Sequence, residues 1–81
     1  MADAQIYDEL TDIFRDFFAD PSIVLKPETA SSDIDGWDSL THLSLMIATE
    51  SRFGIRLQTE DIEKLTRVGE LAALIEYRLK G

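Results

Sequence analysis

The segment Asp33–Leu40, with the sequence DIDGWDSL, holds the side chains best placed for chemistry in this chain of 81 residues. Within it, Asp38 precedes Ser39 directly, where a long loop ends and an amphipathic helix begins. The backbone N–H groups and the dipole at a helix N-terminus favour a negatively charged group such as phosphate. A serine hydroxyl at this place therefore suits phosphorylation or a phosphodiester link.

The same residues also suit a purely structural role. Aspartate or serine before an apolar run is typical of a helix cap, and Asp38 can be the cap under either interpretation. His42, the only histidine, follows Ser39 by one turn and invites comparison with a general base. The sequence shows no orienting partner beside it, so we expect a solvated or partner-facing imidazole.

Hydrophobic periodicity predicts an all-α fold that positions this segment: a small bundle of three main helices and one short helix. Ile6, Leu10, Ile13 and Phe14 give the stripe of the first helix, with Asp3 as its N-cap and Asp20-Pro21 as its end. Similar patterns predict one domain spanning residues 1–81, with helices at about 3–19, 38–53, 59–65 and 67–79.

The long loop between the first two helices, residues 20–37, shows no sustained period. A loop of this length in a small domain should be functional or attached to the core. We expect Ile23, Val24, Leu25 and Ile34 to attach it. A short strand at 22–25 competes with this prediction, but the chain offers no partner strand.

Charge and composition restrict the function. Residues 1–38 carry ten acids and two bases, whereas residues 39–81 carry six of each, so the net charge of −8 lies in the first half. This distribution argues against nucleic acid and favours either basic protein partners or simple solubility. There is no cysteine, so any thiol must come from a cofactor. Without a signal sequence or a long apolar run, we expect a cytoplasmic protein without membrane insertion, and a monomer.

The tripeptide Asp38-Ser39-Leu40 resembles the Asp-Ser-Leu motif of acyl carrier proteins. The acidic composition, the chain length and the long first loop match that family as well. Phe53-Gly54-Ile55 lies where the family ends its second helix, and Val68-Gly69-Glu70-Leu71 lies where its last helix begins. The resemblance therefore covers nearly the whole chain.

This resemblance implies that a phosphopantetheinyl transferase, assisted by magnesium, moves 4'-phosphopantetheine from coenzyme A to Ser39. Asp38 would help to bind the metal of the transferase. The thiol of the arm would carry acyl groups as thioesters between acyl-loading and acyl-processing enzymes, and the chain itself would have no catalytic activity and no metal site of its own.

The resemblance also assigns roles to neighbouring residues. We expect five residues to face partner enzymes: Trp37, Leu40, Thr41, His42 and Ser44. Trp37 would pack at the base of the arm, although anchoring the loop to the core is an equal alternative. A shielded acyl chain would be lined by Leu43, Met46, Ile62, Leu65 and Leu71, each of which also suits plain core packing.

Two departures from the housekeeping carriers of fatty acid synthesis predict a specialised lipid or secondary-metabolite pathway, such as a polyketide pathway. Those carriers have a second helix rich in acids, whereas residues 39–53 hold only Glu50. Gly36-Trp37 also precedes the motif at the place where those carriers usually have a shorter Gly-x-Asp sequence. A peptidyl carrier, a D-alanyl carrier and a helical interaction module with unmodified Ser39 stay as alternatives. A calcium loop starting at Asp33 is excluded, because Trp37, Asp38 and Ser44 occupy positions that need a ligand, glycine and glutamate.

Overall fold

Four α-helices form the fold in the computed structural model, which describes residues 4–80. The helices are α1 (Ala4–Phe18), α2 (Ser39–Phe53), α3 (Thr59–Lys64) and α4 (Val68–Lys80), with one 3-10 turn at Ser31–Asp33. The predicted all-α fold with three long helices and one short helix is confirmed, and the helix ends lie within one residue of the predicted bounds. The predicted N-cap Asp3 lies outside the described residues.

The core lies where α1 packs against both α2 and α4. Each helix buries one apolar stripe, because residues spaced by three or four positions share a helix face. Phe14 of α1, Leu45 of α2 and Ile75 of α4 are fully buried at its centre. Between residues 4 and 80 there is no strand, only an isolated bridge between Ala30 and Arg67, so the competing strand at 22–25 does not form.

Three of the four predicted attachments hold the first loop to the core. Ile23, Leu25 and Ile34 are buried, but Val24 has an exposed fraction of 66%. The prediction for Val24 was wrong, because successive side chains of an extended segment point to opposite sides and only one side faces the core. The Arg15 guanidinium adds a polar attachment, since its Nε donates to the Ile23 carbonyl at 2.9 Å.

The far part of the loop is bound to the first turn of α4. The Val68 N–H donates to the Thr29 carbonyl at 2.8 Å, and the Gly69 N–H donates to the Pro27 carbonyl at 2.9 Å. A Cβ atom at Gly69 would lie 2.8 Å from the Pro27 carbonyl oxygen. The loop therefore approaches α4 so closely that only glycine fits this position.

Asp38 fixes the first turn of α2 as its N-cap. Its Oδ1 accepts from the Leu40 N–H at 2.9 Å and from the Thr41 N–H at 3.0 Å. In return, the Asp38 N–H donates to Thr41 Oγ1 at 3.0 Å, and that hydroxyl donates to the Gly36 carbonyl at 2.7 Å. The backbone N–H groups of Thr41 and Leu40 lower the pKa of the Asp38 carboxyl.

Replacing Gly69 by alanine tests the contact between the loop and α4. We expect Gly69→Ala to lower the free energy of unfolding by about 1–3 kcal/mol, the usual cost of overpacking a close contact. The intrinsic helix preference of alanine acts in the opposite direction, by about 1 kcal/mol. Urea unfolding followed by circular dichroism measures the difference, and a variant more stable than the native chain would contradict the close approach.

The Asp38 cap predicts a specific loss of stability in acid. Because its pKa is lowered in the folded state, the carboxylate stabilises the fold above its unfolded pKa of about 3.9. This contribution is lost as the pH falls through the lower folded pKa. Asp38→Asn keeps a capping oxygen, so we expect near-native stability at pH 7 but a smaller loss below about pH 4.

The matched variant Asp38→Ala lacks the capping oxygen, so it should lower Tm at pH 7 by on the order of 5 °C. Thermal unfolding between pH 3 and pH 7 measures all three chains. Identical pH profiles for the native chain and Asp38→Asn would contradict the role of this carboxylate.

Candidate functional site

Ser39 is the first residue of α2, and its side chain is exposed. It lies beside a groove of about 520 Å³ between the start of α2 and α3. Trp37 and Asp38 border the groove from the loop, and Thr59 and Glu63 border it from α3. The hydroxyl that sequence analysis singled out is therefore accessible and adjoins a partly apolar recess.

Three of the five residues predicted to line an acyl pocket do border this groove: Leu43, Ile62 and Leu65. Met46 and Leu71 do not border it, because both are fully enclosed in the core cluster formed with α1 and α4. For these two residues the structure corrects the prediction of a pocket lining. They fill volume in the core instead.

Trp37 was expected to face partner enzymes, and the structure corrects this prediction. Its exposed fraction is 6%, and its indole packs edge-on against Phe14, with ring centroids 5.2 Å apart. It anchors the end of the loop to the core, which is the alternative that the sequence left open. One side of the indole still borders the groove beside Ser39.

His42 was expected to be solvated or to face partners, without an orienting group, and this was also wrong. The Trp37 Nε1–H donates to His42 Nδ1 at 2.9 Å, and His42 Nε2 lies 2.9 Å from the Ile62 carbonyl oxygen. An indole N–H only donates and a carbonyl only accepts, so Nδ1 is the acceptor and Nε2 carries the proton. Both bonds are satisfied by one neutral tautomer of the imidazole.

The remaining predicted partner-facing residues differ in what they present. Leu40 has an exposed fraction of 86%, and Ser44 is exposed as well. The half-buried Thr41 engages its hydroxyl with Asp38 and Gly36, and its contact with a partner stays a prediction.

Leu40, Leu43 and Ile47 form an exposed apolar row on α2, which we call the α2 stripe. Their spacing of three and four residues places them on neighbouring turns of one helix face. The motif at Ser39 is thus continued along the helix surface by apolar side chains. The sequence contained this signal, because all three are large apolar residues at helical spacing.

Charged side chains around α2 are held by internal contacts. Glu50, the only acid of α2, accepts the Leu57 N–H at 2.9 Å. Arg52 binds Glu9 at 3.1 Å and lies 3.7 Å from Asp12 of α1. The surface beside Ser39 therefore offers little negative charge from α2 itself.

Most of the acids lie elsewhere. Asp20, Glu28, Asp33 and Asp35 border a polar depression of about 510 Å³ on the first loop. Within residues 4–80, no group of three or more His, Cys, Asp or Glu side chains is arranged to hold a metal ion. In the same part of the chain, no helix has the length and apolar character required to cross a membrane.

Comparison with known proteins shows that the chain is similar to several acyl carrier proteins. The chain is 32% identical over 80 residues to an acyl carrier protein of Chlorobium phaeovibrioides, covering 99% of both chains. It is also 32% identical over 73 residues to a meromycolate extension acyl carrier protein of Mycolicibacterium aurum, covering 90% of this chain and 68% of the other. No protein-family model matches the chain.

A solved structure extends the likeness to three dimensions. The solution NMR structure of a holo acyl carrier protein from Geobacter metallireducens is 44% identical, with a TM-score of 0.86. It covers 93% of this chain and 86% of the other. Because an acyl carrier protein that is 32% identical is covered to 99% and the fold of a 44% identical one agrees, the chain belongs to the acyl carrier protein family.

Proposed function

We propose that this chain carries acyl groups on a phosphopantetheine arm attached to Ser39. Acyl carrier proteins have a phosphopantetheine prosthetic group, interact with a phosphopantetheinyl transferase and with acyl-processing enzymes, and have no catalytic activity of their own. The observation that carries the assignment to Ser39 is its position. It is exposed in the first turn of α2, directly after the Asp38 cap and beside the groove.

The residues around Ser39 fit such a group. A phosphate on the first residue of a helix is favoured by the helix dipole. Leu43, Ile62 and Leu65 provide an apolar side of the groove along which the arm or its cargo would lie. When bound, the group supplies a thiol that holds acyl groups as thioesters.

Asp38 has two tasks in this proposal. Its carboxylate already accepts the N–H groups of Leu40 and Thr41, so it fixes the turn on which Ser39 stands. Like an ordinary aspartate it is ionised at neutral pH, which is the form needed to bind a cation of the transferase.

We further propose a specialised pathway instead of housekeeping fatty acid synthesis. The α2 stripe is apolar, and the one acid of α2 is bound to the Leu57 N–H. A partner that recognises α2 would therefore meet apolar side chains, each of which contributes to binding by leaving water. The acids of the first loop would attract a basic partner over a longer range.

Attachment at Ser39 is tested by intact mass after incubation with coenzyme A, magnesium and a broad-specificity phosphopantetheinyl transferase. We expect the native chain to gain the mass of one phosphopantetheine and Ser39→Ala to gain none. Ser44→Ala, a matched exposed serine of α2, should be modified like the native chain. An unmodified native chain, or a modified Ser39→Ala chain, would overturn the assignment.

The specialised pathway is tested with a malonyl transferase of bacterial fatty acid synthesis. We expect the native chain carrying an unacylated phosphopantetheine arm to be a poor substrate, and the double variant Ser44→Glu, Ile47→Glu to lower KM by roughly tenfold, because each exposed opposite-charge contact adds up to about 1 kcal/mol. The control Tyr77→Glu, Leu79→Glu adds the same charge at two exposed positions of α4 and should leave KM unchanged. A native chain used as efficiently as a housekeeping carrier would contradict the proposal.

A further inference from the structure

We propose that His42 is a specificity-determining residue that closes the inner end of the groove and so limits how much of the acyl cargo can lie between α2 and α3. The inference rests on the proposed function, because cargo reaches the groove from Ser39. It concerns a residue that family membership alone does not assign, and it follows from the two hydrogen bonds of the imidazole.

His42 lies between the attachment point and the core along one face of α2. Ser39, His42 and Met46 are spaced by three and four residues, so they follow one another on that face. At 1.5 Å per residue, His42 lies about 4.5 Å and Met46 about 10.5 Å along the helix from Ser39. The groove is bordered by Ser39 and His42 but not by Met46, which is fully buried. Cargo that moves inward along α2 must therefore pass the imidazole.

The imidazole is fixed at both ring nitrogens. Nδ1 accepts from Trp37 Nε1 at 2.9 Å, and Nε2 donates to the Ile62 carbonyl at 2.9 Å. The His42 imidazole and the Trp37 indole lie within 20° of parallel, with ring centroids 5.9 Å apart. Moving the ring aside breaks both bonds and leaves the N–H of a nearly buried indole without its acceptor, which is costly away from water. His42 therefore resists displacement more than an apolar side chain of similar size would.

The bond from His42 to the Ile62 carbonyl also helps to set the distance between α2 and α3, which are the two walls of the groove. Helix α3 has only six residues, so its own hydrogen bonds hold it weakly and it depends on tertiary contacts. Ile62 packs into the core, and Asp61 pairs with Arg78 of α4 at 3.1 Å. The bond from His42 to the Ile62 carbonyl connects α3 to α2 at the inner end of the groove. Removing this hydrogen bond allows α3, the more weakly held wall of the groove, to move away from α2.

This arrangement indicates a class of cargo. A short acyl group, or one with a polar group near its carbonyl, fits in the outer part of the groove beside Trp37, Ser39 and Leu43. A long alkyl chain would need the space that His42 closes. The native chain should therefore leave a long alkyl chain in solvent instead of enclosing it.

The test compares thioester protection in carriers loaded with butanoyl, octanoyl and hexadecanoyl groups. Cleavage by hydroxylamine at neutral pH is measured for the native chain, His42→Ala, Trp37→Phe and the control Ser44→Ala. Ser44 lies two positions from His42, on the opposite side of α2. In the native chain and in Ser44→Ala we expect octanoyl and hexadecanoyl to be cleaved at similar rates, and butanoyl to be cleaved more slowly because it fits in the outer part of the groove.

In His42→Ala, octanoyl and hexadecanoyl should be cleaved more slowly by roughly threefold to tenfold, the effect of one ordinary hydrogen bond on the opening equilibrium. Trp37→Phe keeps an aromatic ring but removes the donor to Nδ1, so it should shift the rates in the same direction, and it provides the test if His42→Ala does not fold. A native chain that protects octanoyl as well as both variants do would overturn the proposal.

A second readout needs no arm and separates this inference from the proposed function. In the unmodified chain, nitrogen NMR should show His42 as the tautomer with its proton on Nε2. The Trp37 indole N–H should exchange with solvent at least tenfold faster in His42→Ala than in the native chain or Ser44→Ala. A proton on Nδ1, or an unchanged exchange rate in His42→Ala, would overturn the role of His42. A missing mass gain at Ser39 would instead overturn the proposed function.

Discussion

The Trp37 indole packs between Phe14 of α1 and the His42 imidazole of α2, and the site takes its shape from these two contacts. A loop of about twenty residues has a large conformational entropy to lose, and the domain has few apolar residues to offset it. Burial of the indole offsets part of this loss at the point where the loop meets α2, as Ile23, Leu25 and Ile34 do elsewhere in the loop. Two residues later the chain presents Ser39, so the serine follows closely after a residue that is anchored in the core.

Hydrogen bonds fix the chain on both sides of Ser39. On the loop side, Asp38 and Thr41 cap each other and also hold the Gly36 carbonyl. On the helix side, His42 connects the second turn of α2 to α3. Ser39 lies between these two bonded groups while its own side chain is exposed. A rigid support below an accessible hydroxyl suits a residue that another enzyme has to modify.

Local patterns in the sequence predicted the helices well because each helix carries its own signals. The stripe of α1 and the Asp38 cap depend on residues within a few positions of one another. The environment of His42 was missed because the Ile62 carbonyl lies 20 residues away and is a backbone group, which no side-chain pattern reveals. Val24 and Trp37 were misplaced for a related reason, since the side of an irregular loop that faces the core is decided by tertiary packing.

The small size of the domain explains why His42 has so much influence on which cargo can enter the groove. A domain this small has little volume to spare inside its core, so the space for cargo must come from a movable boundary, and α3 is the shortest α-helix that borders the groove. An apolar residue at position 42 would lack the bond to α3, whereas the imidazole has to lose two hydrogen bonds before it can move aside. Cargo is then selected by whether its burial outweighs two hydrogen bonds. A long alkyl chain gains this burial only after the ring has moved aside, so the two hydrogen bonds of His42 oppose its entry before any burial can offset them.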